Sequence, residues 1–414
     1  MTDFDLTMEQ RPPPLPNQAP ETLRAQGLIP DYRGGSIVNL MSSLVIALGG
    51  EPSFYPPLRC LDPLALEESR NLALIVIDGL GYHHLTTKAR HTRFHRYLRG
   101  PMTSVFPTTT ATAVTTFLTG EAPQQHALTG WHMYLEEIGS VMAVLPFQQR
   151  TGAPAPKASP VDPASVFVPR PIFDRIPVPA YTVAPDWIIH SPFNAAYSGK
   201  SEKRPYHTLQ EFFRVVARTL TEGSKRKYVY AYYPEVDRLA HEHGIESRRV
   251  ATHLVELDAA FGWFLKQIAG TGTTVIVTAD HGVIDTQSDR RIDLARHPAL
   301  ADTLRLPLCG ESRAAYCYVR PEKCERFKSY VETHLAGKAV LFESETLIKE
   351  NYFGLGPPHP RLRGRVGDYT LVMQDNYTIK DWLPGEKKHT HIGVHGGLSE
   401  EEIYVPLIVV NPSA

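Results

Sequence analysis

The chain has 414 residues, with 43 basic against 44 acidic side chains and a formal charge of −1 at neutral pH. That balance supplies no broad field for a nucleic acid duplex or an acidic membrane, and the length calls for one large core with insertions or for two domains. The four cysteines, Cys60, Cys309, Cys317 and Cys324, include no CxxC pair and read as reduced structural thiols of a cytoplasmic protein.

Residues 1–35 carry Pro12-Pro13-Pro14 and Pro16 without an apolar export core, so they read as a leader or surface arm and not as a signal peptide. The apolar stretch 37–48 is too short and too polar to span a bilayer and predicts a buried helix. Leu72-Ala-Leu-Ile-Val-Ile77 is continuously apolar, as a strand covered on both faces of a parallel sheet must be. It runs into Asp78-Gly79-Leu80-Gly81. Open α/β sheets bind ligands beyond the carboxyl ends of their strands, so Asp78 stands where a binding carboxylate is wanted; an Asp-Gly turn with a helix cap is the plainer alternative.

A β-like run ends at Phe106-Pro107, turns through Thr108-Thr109-Thr110, and opens a small-residue helix that reaches Gly120. Such a junction aims backbone N–H groups and the positive helix end at one point, which suits phosphate. A threonine there can attack phosphorus once its hydroxyl is activated, although threonine is also an ordinary helix cap and spacing alone leaves Thr108, Thr109 and Thr110 open.

Residues 146–205 are proline-rich and predict a loop-dominated insertion. Helices are expected over 206–222 and 247–268, with strands at 227–233 and 273–278. Asp237 and His241 lie four apart, on one helical face, and can share a metal ion. Asp280-His281-Gly282 offers a second carboxylate–imidazole pair at a strand end. Residues 286–390 break the alternation of strand and helix and read as an inserted α+β cap subdomain. The chain then returns through His389, His391 and His395 to a last strand at 405–410. Of these three imidazoles His395 is preferred as a ligand, because Gly396 and Gly397 permit close backbone approach.

Taken in order, Asp78-Gly79, Phe106-Pro107-Thr108-Thr109-Thr110, Thr119-Gly120 with Pro123 and His126, Asp237-xxx-His241, Asp280-His281-Gly282 and His395-Gly396 resemble the alkaline phosphatase superfamily. Within it they resemble the nucleotide pyrophosphatase/phosphodiesterase branch. The resemblance covers residues of about 70 to 410 and implies a three-layer α/β/α core with a mostly parallel sheet, built from residues 36–285 and 391–414. It implies two zinc ions, with other divalent transition metals as alternatives. Asp237, His241 and His395 would hold one ion; Asp78, Asp280, His281 and the Thr110 oxygen would hold the other. The resemblance places Thr110 at the nucleophile position and implies a phosphothreonine intermediate on a small phosphoester, nucleotide-like substrate. A phosphomonoesterase, phosphonate hydrolase or phosphomutase on the same core stays open, and a zinc protein that only binds phosphorylated partners is the remotest reading.

Overall fold

In the computed structural model, which describes residues 28–151, 161–386 and 388–412, the three apolar runs lie side by side; the expected leader up to residue 27 falls outside the described residues. Asn71–Ile77 pairs in parallel with Lys227–Tyr233 on one side and with Thr273–Thr278 on the other. Every residue of the three is buried. Both faces are therefore covered, which is why their sequences are apolar without alternation.

Ala180–Pro185 and then Glu202–Tyr206 extend the sheet in parallel beyond Lys227–Tyr233. On the other side Tyr404–Val410 runs antiparallel to Thr273–Thr278, and Leu98–Thr103 closes that edge. The result is a seven-stranded, mostly parallel sheet with one reversed strand.

The side chains of Lys227–Tyr233 show how the layers form. Tyr228 and Tyr230 point to one face and meet Phe173, with ring centroids 6.2 and 6.5 Å away. Tyr233 points to the other and meets Phe212 of the helix Leu209–Thr221 at 5.2 Å. That helix packs on Arg248–Gln267, whereas the Phe173 side is covered by Thr110–Thr119 and Ile37–Ala47. These are the α/β/α layers. The helix Arg248–Gln267 starts where expected and Leu209–Thr221 starts three residues later than expected, the side chains of Ser247 and Thr208 accepting from the N–H groups of Val250 and Glu211.

Two expectations need correction. Residues 146–205 are not only loop and short helix, since they supply two strands of the central sheet. Glu202-Lys-Arg-Pro-Tyr206 is an edge strand, where charge and proline are tolerated and no apolar run is required. The strand expected to reach Phe106 stops at Thr103, because Ser104–Thr109 leave the ladder and Phe106 turns towards Phe353.

A second seven-stranded sheet is antiparallel and mixes two parts of the chain. Ala339–Glu343, Tyr369–Met373, Ala314–Cys317 and Cys309–Gly310 come from the 286–390 segment; His132–Leu135, Ser140–Ala143 and Gln148–Gln149 continue the sheet from the earlier segment. Phe327, Val331, Leu371 and Ile379 form its own apolar interior. Phe106, Tyr316, Tyr352 and Tyr404 belong to another cluster that joins it to the central sheet. Among the described residues no helix is long and apolar enough to cross a membrane.

Candidate metal centre

The carboxyl ends of the three central strands converge. Asp78 N–H donates to Tyr233 O at 2.9 Å, and Asp237 N–H donates to Asp78 O at 3.1 Å, which fixes the start of the Glu235–His243 helix against the first strand's end. Gly79 makes this approach feasible. Its φ is +74°, and a Cβ there would stand 2.9 Å from Asp237 Cβ. At the third strand end a Cβ on Gly282 would lie 1.9 Å from Glu401 O, so only glycine allows the last helix to press against the Asp280-His281 turn.

Each carboxylate has one oxygen held by the protein and one left over. Asp78 Oδ2 accepts from the Tyr232 hydroxyl. Asp280 Oδ1 accepts from Gly79 N–H at 3.2 Å and His281 N–H at 3.0 Å. Asp237 Oδ2 faces His241 Nε2 at 3.1 Å. The other oxygens, Asp78 Oδ1, Asp237 Oδ1 and Asp280 Oδ2, are buried without a hydrogen-bond partner. Leaving such atoms bare is costly, so they mark a place for a cation.

The imidazoles carry the same message. Nδ1 of His241, His281 and His395 lies 2.8, 3.0 and 3.0 Å from the carbonyl oxygens of Gly393, Gly282 and Thr108. A carbonyl only accepts, so each Nδ1 carries its proton, and each ring turns its Nε2 towards the carboxylates, where the neutral form offers a lone pair. Lone pairs aimed at carboxylate oxygens repel unless a proton or metal lies between them. Carbonyl-anchored imidazoles with buried aspartates form a donor set that suits zinc.

Without that ion the charges strain against one another. Burial, with Asp280 and Asp237 nearby, pushes the Asp78 carboxyl well up. Burial and Asp237 also raise Asp280, although His281 opposes them. Burial would raise Asp237 too, yet His241 and His395 hold it below the ordinary carboxylate range. Burial would lower His241, but Asp237 and the Gly393 carbonyl pull it up to about 9. His395 is driven well down by burial and by His281.

The donor atoms form two tight groups that share His281: Asp237, His281 and His395, and Asp78, Asp280 and His281. The rings of His281 and His395 stack with centroids 3.7 Å apart. His241 adjoins the first group through Asp237. Thr110 begins the helix Thr110–Thr119, and its Oγ1 lies 3.3 Å from His281 Nε2. The neighbouring hydroxyls are committed elsewhere, Thr108 Oγ1 donating to Gly397 O at 2.8 Å and Thr109 Oγ1 to Glu311 at 2.7 Å. Thr109 occupies the cap position without capping, so the first N–H groups of the helix lack a side-chain acceptor.

All seven residues singled out in the sequence thus meet in one place. His389 and His391 stay apart from the two groups; the His391 ring lies tilted against His241 with centroids 4.1 Å apart, and His389 is exposed. Sequence reasoning passed over Tyr232 and Glu311. Tyr232 sits in a plain strand pattern and Glu311 in a short cap turn, and neither has a local signal. The centre opens into a cleft of about 1520 Å³, lined also by Trp131, Trp187, Arg291, Lys380 and Trp382.

Comparisons with known proteins agree with this geometry. A sequence profile for type I phosphodiesterase/nucleotide pyrophosphatase matches residues 72–398. No curated protein matches the chain. Among solved structures, murine ectonucleotide pyrophosphatase/phosphodiesterase 5, in an inactive form in complex with AMP, is 16% identical with a TM-score of 0.62, over 82% of this chain and 88% of that one. The human protein of the same name is 15% identical with a TM-score of 0.63, over the same shares of the two chains. At such identity the likeness is one of fold.

Proposed function

This chain belongs to the type I phosphodiesterase/nucleotide pyrophosphatase family and is a phosphodiesterase-like hydrolase; from that premise we propose that Thr110 is its nucleophile, working within a two-zinc centre on nucleotide-type diesters or pyrophosphates. The observation that carries the reading is the Thr110 hydroxyl, 3.3 Å from His281 Nε2, beside three buried carboxylate oxygens that have no partner. We assign Asp237, His241 and His395 to one ion and Asp78, Asp280, His281 and Thr110 to the other. Bound zinc supplies the positive charge that lowers the hydroxyl's pKa and offsets charge on the phosphoryl oxygens.

The chain's own groups do the rest. The uncapped N–H groups at the start of Thr110–Thr119 receive the phosphoryl oxygens, and the helix end favours their negative charge. Thr110 Oγ attacks phosphorus as the P–O bond to the leaving group breaks, its proton going to the departing oxygen, which gives a phosphothreonine that still carries the rest of the substrate; water then cleaves the new P–O bond, releases the phosphate product and returns the hydroxyl. The carbonyls of Gly393, Gly282 and Thr108 hold the three imidazoles in one tautomer throughout. Trp187 from residues 146–205, with Lys380 and Trp382 from the 286–390 cap, lines the cleft where the rest of the substrate lies. AMP in the murine relative supports a nucleotide there. Four free thiols support a cytoplasmic site of action.

The test is chemical. Protein quenched during turnover of a labelled diester should carry the label on the peptide containing Thr110, and chelation should abolish turnover. Label on another residue, or full activity in metal-free protein, overturns the reading.

A further inference from the structure

We propose that Glu311 selects phosphodiesters over phosphomonoesters, by holding a fixed negative charge beside the phosphoryl-binding end of the Thr110–Thr119 helix. The inference rests on the assignment of Thr110 above and adds a residue of the cap to it.

Glu311 follows the strand Cys309–Gly310 in a tight turn, its N–H donating to Ala314 O at 2.9 Å. Its Oε1 accepts from Thr109 Oγ1 at 2.7 Å and from Trp131 N–H at 2.7 Å. Burial raises the Glu311 carboxyl above its ordinary value, and the hydrogen bonds from Thr109 and Trp131 oppose that shift by favouring the carboxylate. Held from two sides, the group cannot swing away from Thr109, the residue immediately before Thr110. It is half-buried and lines the same cleft as Thr110 and His395. The loop after His395 is shaped around it, since a Cβ on Gly396 would stand 2.6 Å from Glu311 Cβ.

Three of the cleft's cations are held by carboxylates, while Arg291 is turned to the carbonyls of Thr286 and His391. Arg150, in the same cleft, has Asp381 at 2.7 Å and Glu386 at 3.1 Å, and Arg238 is paired with Glu235 and Glu242. Lys380 rests 4.1 Å over the Trp382 ring with Glu386 at 3.8 Å. A monoester dianion carries one negative charge more than a diester and needs an extra cation to receive it. This site presents a carboxylate instead. Glu311 is hydrogen-bonded to the residue just before Thr110, and charges that share a half-buried cleft act on one another more strongly than in open water. A diester replaces one charged oxygen with an ester oxygen and avoids the penalty.

Glu311→Gln separates this role from a structural one, because its amide oxygen still accepts from Thr109 and Trp131 while the charge is gone. The readout is the ratio of kcat/KM for p-nitrophenyl phosphate to kcat/KM for bis-p-nitrophenyl phosphate, with metal content and Tm alongside. The ratio should rise at least about tenfold in Glu311→Gln at unchanged metal content. Glu311→Met, which also removes the charge and keeps most of the volume, should move the ratio the same way even if its Tm falls. A ratio within about twofold of wild type in both variants, or parallel losses on both substrates, overturns the proposal. Wild-type protein that holds its metal and leaves the diester intact would instead overturn the diesterase reading beneath it.

Discussion

The two seven-stranded sheets do different work. The central one is mostly parallel, its three middle strands are buried on both faces, and Asp78, Asp237 and Asp280 lie just beyond their ends. The antiparallel one is assembled from two distant parts of the chain, with its own interior around Phe327 and Leu371. It reaches the centre from the side through Glu311 and Arg313. The contrast teaches where reactivity and selection reside. Parallel strands bring several ends to one edge, so groups that must meet at a metal are placed there. A flanking antiparallel sheet only has to present a turn, and it can change which substrate fits without disturbing the metal ligands.

The largest effect that this contrast predicts falls on the central sheet. Thr110→Ala should lower kcat by at least about 10³-fold, with metal content and Tm nearly unchanged, because the aspartate and histidine ligands and the helix end remain. Activity near the wild-type rate would move the chemistry away from the core edge altogether. Next comes the pair of loop histidines. His395→Ala should lose metal and exceed His391→Ala in its loss of activity by at least about tenfold, read from metal analysis and initial rates. The reverse order would mean that His391, which lies tilted against His241, is the true ligand.

A third variant tests the seam between the sheets. Arg313 reaches from the cap to Glu402, with nitrogen–oxygen distances of 3.1 and 2.7 Å and both side chains 1% exposed or less. Glu402 in turn accepts from Gly397 N–H, and its carbonyl accepts from Gly282 N–H, so one ion pair braces the loops that follow His395 and His281. Glu402→Gln strands a buried guanidinium and should cost about 3–5 kcal/mol in denaturant unfolding, with a moderate loss of kcat. Stability within experimental error of wild type would show that the cap is not braced through this pair. The smallest effect on turnover is expected inside the cap itself. Phe327→Ala should cost about 3–5 kcal/mol locally yet leave metal content intact and kcat within about threefold. Loss of metal on that substitution would mean that the two sheets are one cooperative unit.

What could be read from the chain beforehand follows the same division. The runs at 72–77, 227–233 and 273–278 were legible because strands buried on both sides must be apolar throughout. The edge strand Glu202–Tyr206 was not, since half-exposed backbone accepts charge and proline. Asp78, Asp237, His241, Asp280, His281 and His395 stood out because each sits within two residues of a glycine or at helical spacing from a partner, which are local features. Glu311 had no such feature, lying in a turn between two short cap strands.

The sequence by itself determined the parallel core, the carboxylate and imidazole positions at its strand ends, and the threonine-rich helix start, because strand burial and helix periodicity are local constraints on residue type. The resemblance pointed to Thr110, but only the tertiary structure shows why it is that one, of three adjacent threonines, whose hydroxyl meets the buried aspartates and histidines. That choice depends on Gly397 O and Glu311, some two hundred residues or more away, which engage the hydroxyls of Thr108 and Thr109 and leave that of Thr110 beside His281. The same long-range packing set Glu311 against Thr109, the residue before Thr110. Contacts between segments so far apart are fixed by how the two sheets dock, and no local pattern of residues encodes that docking.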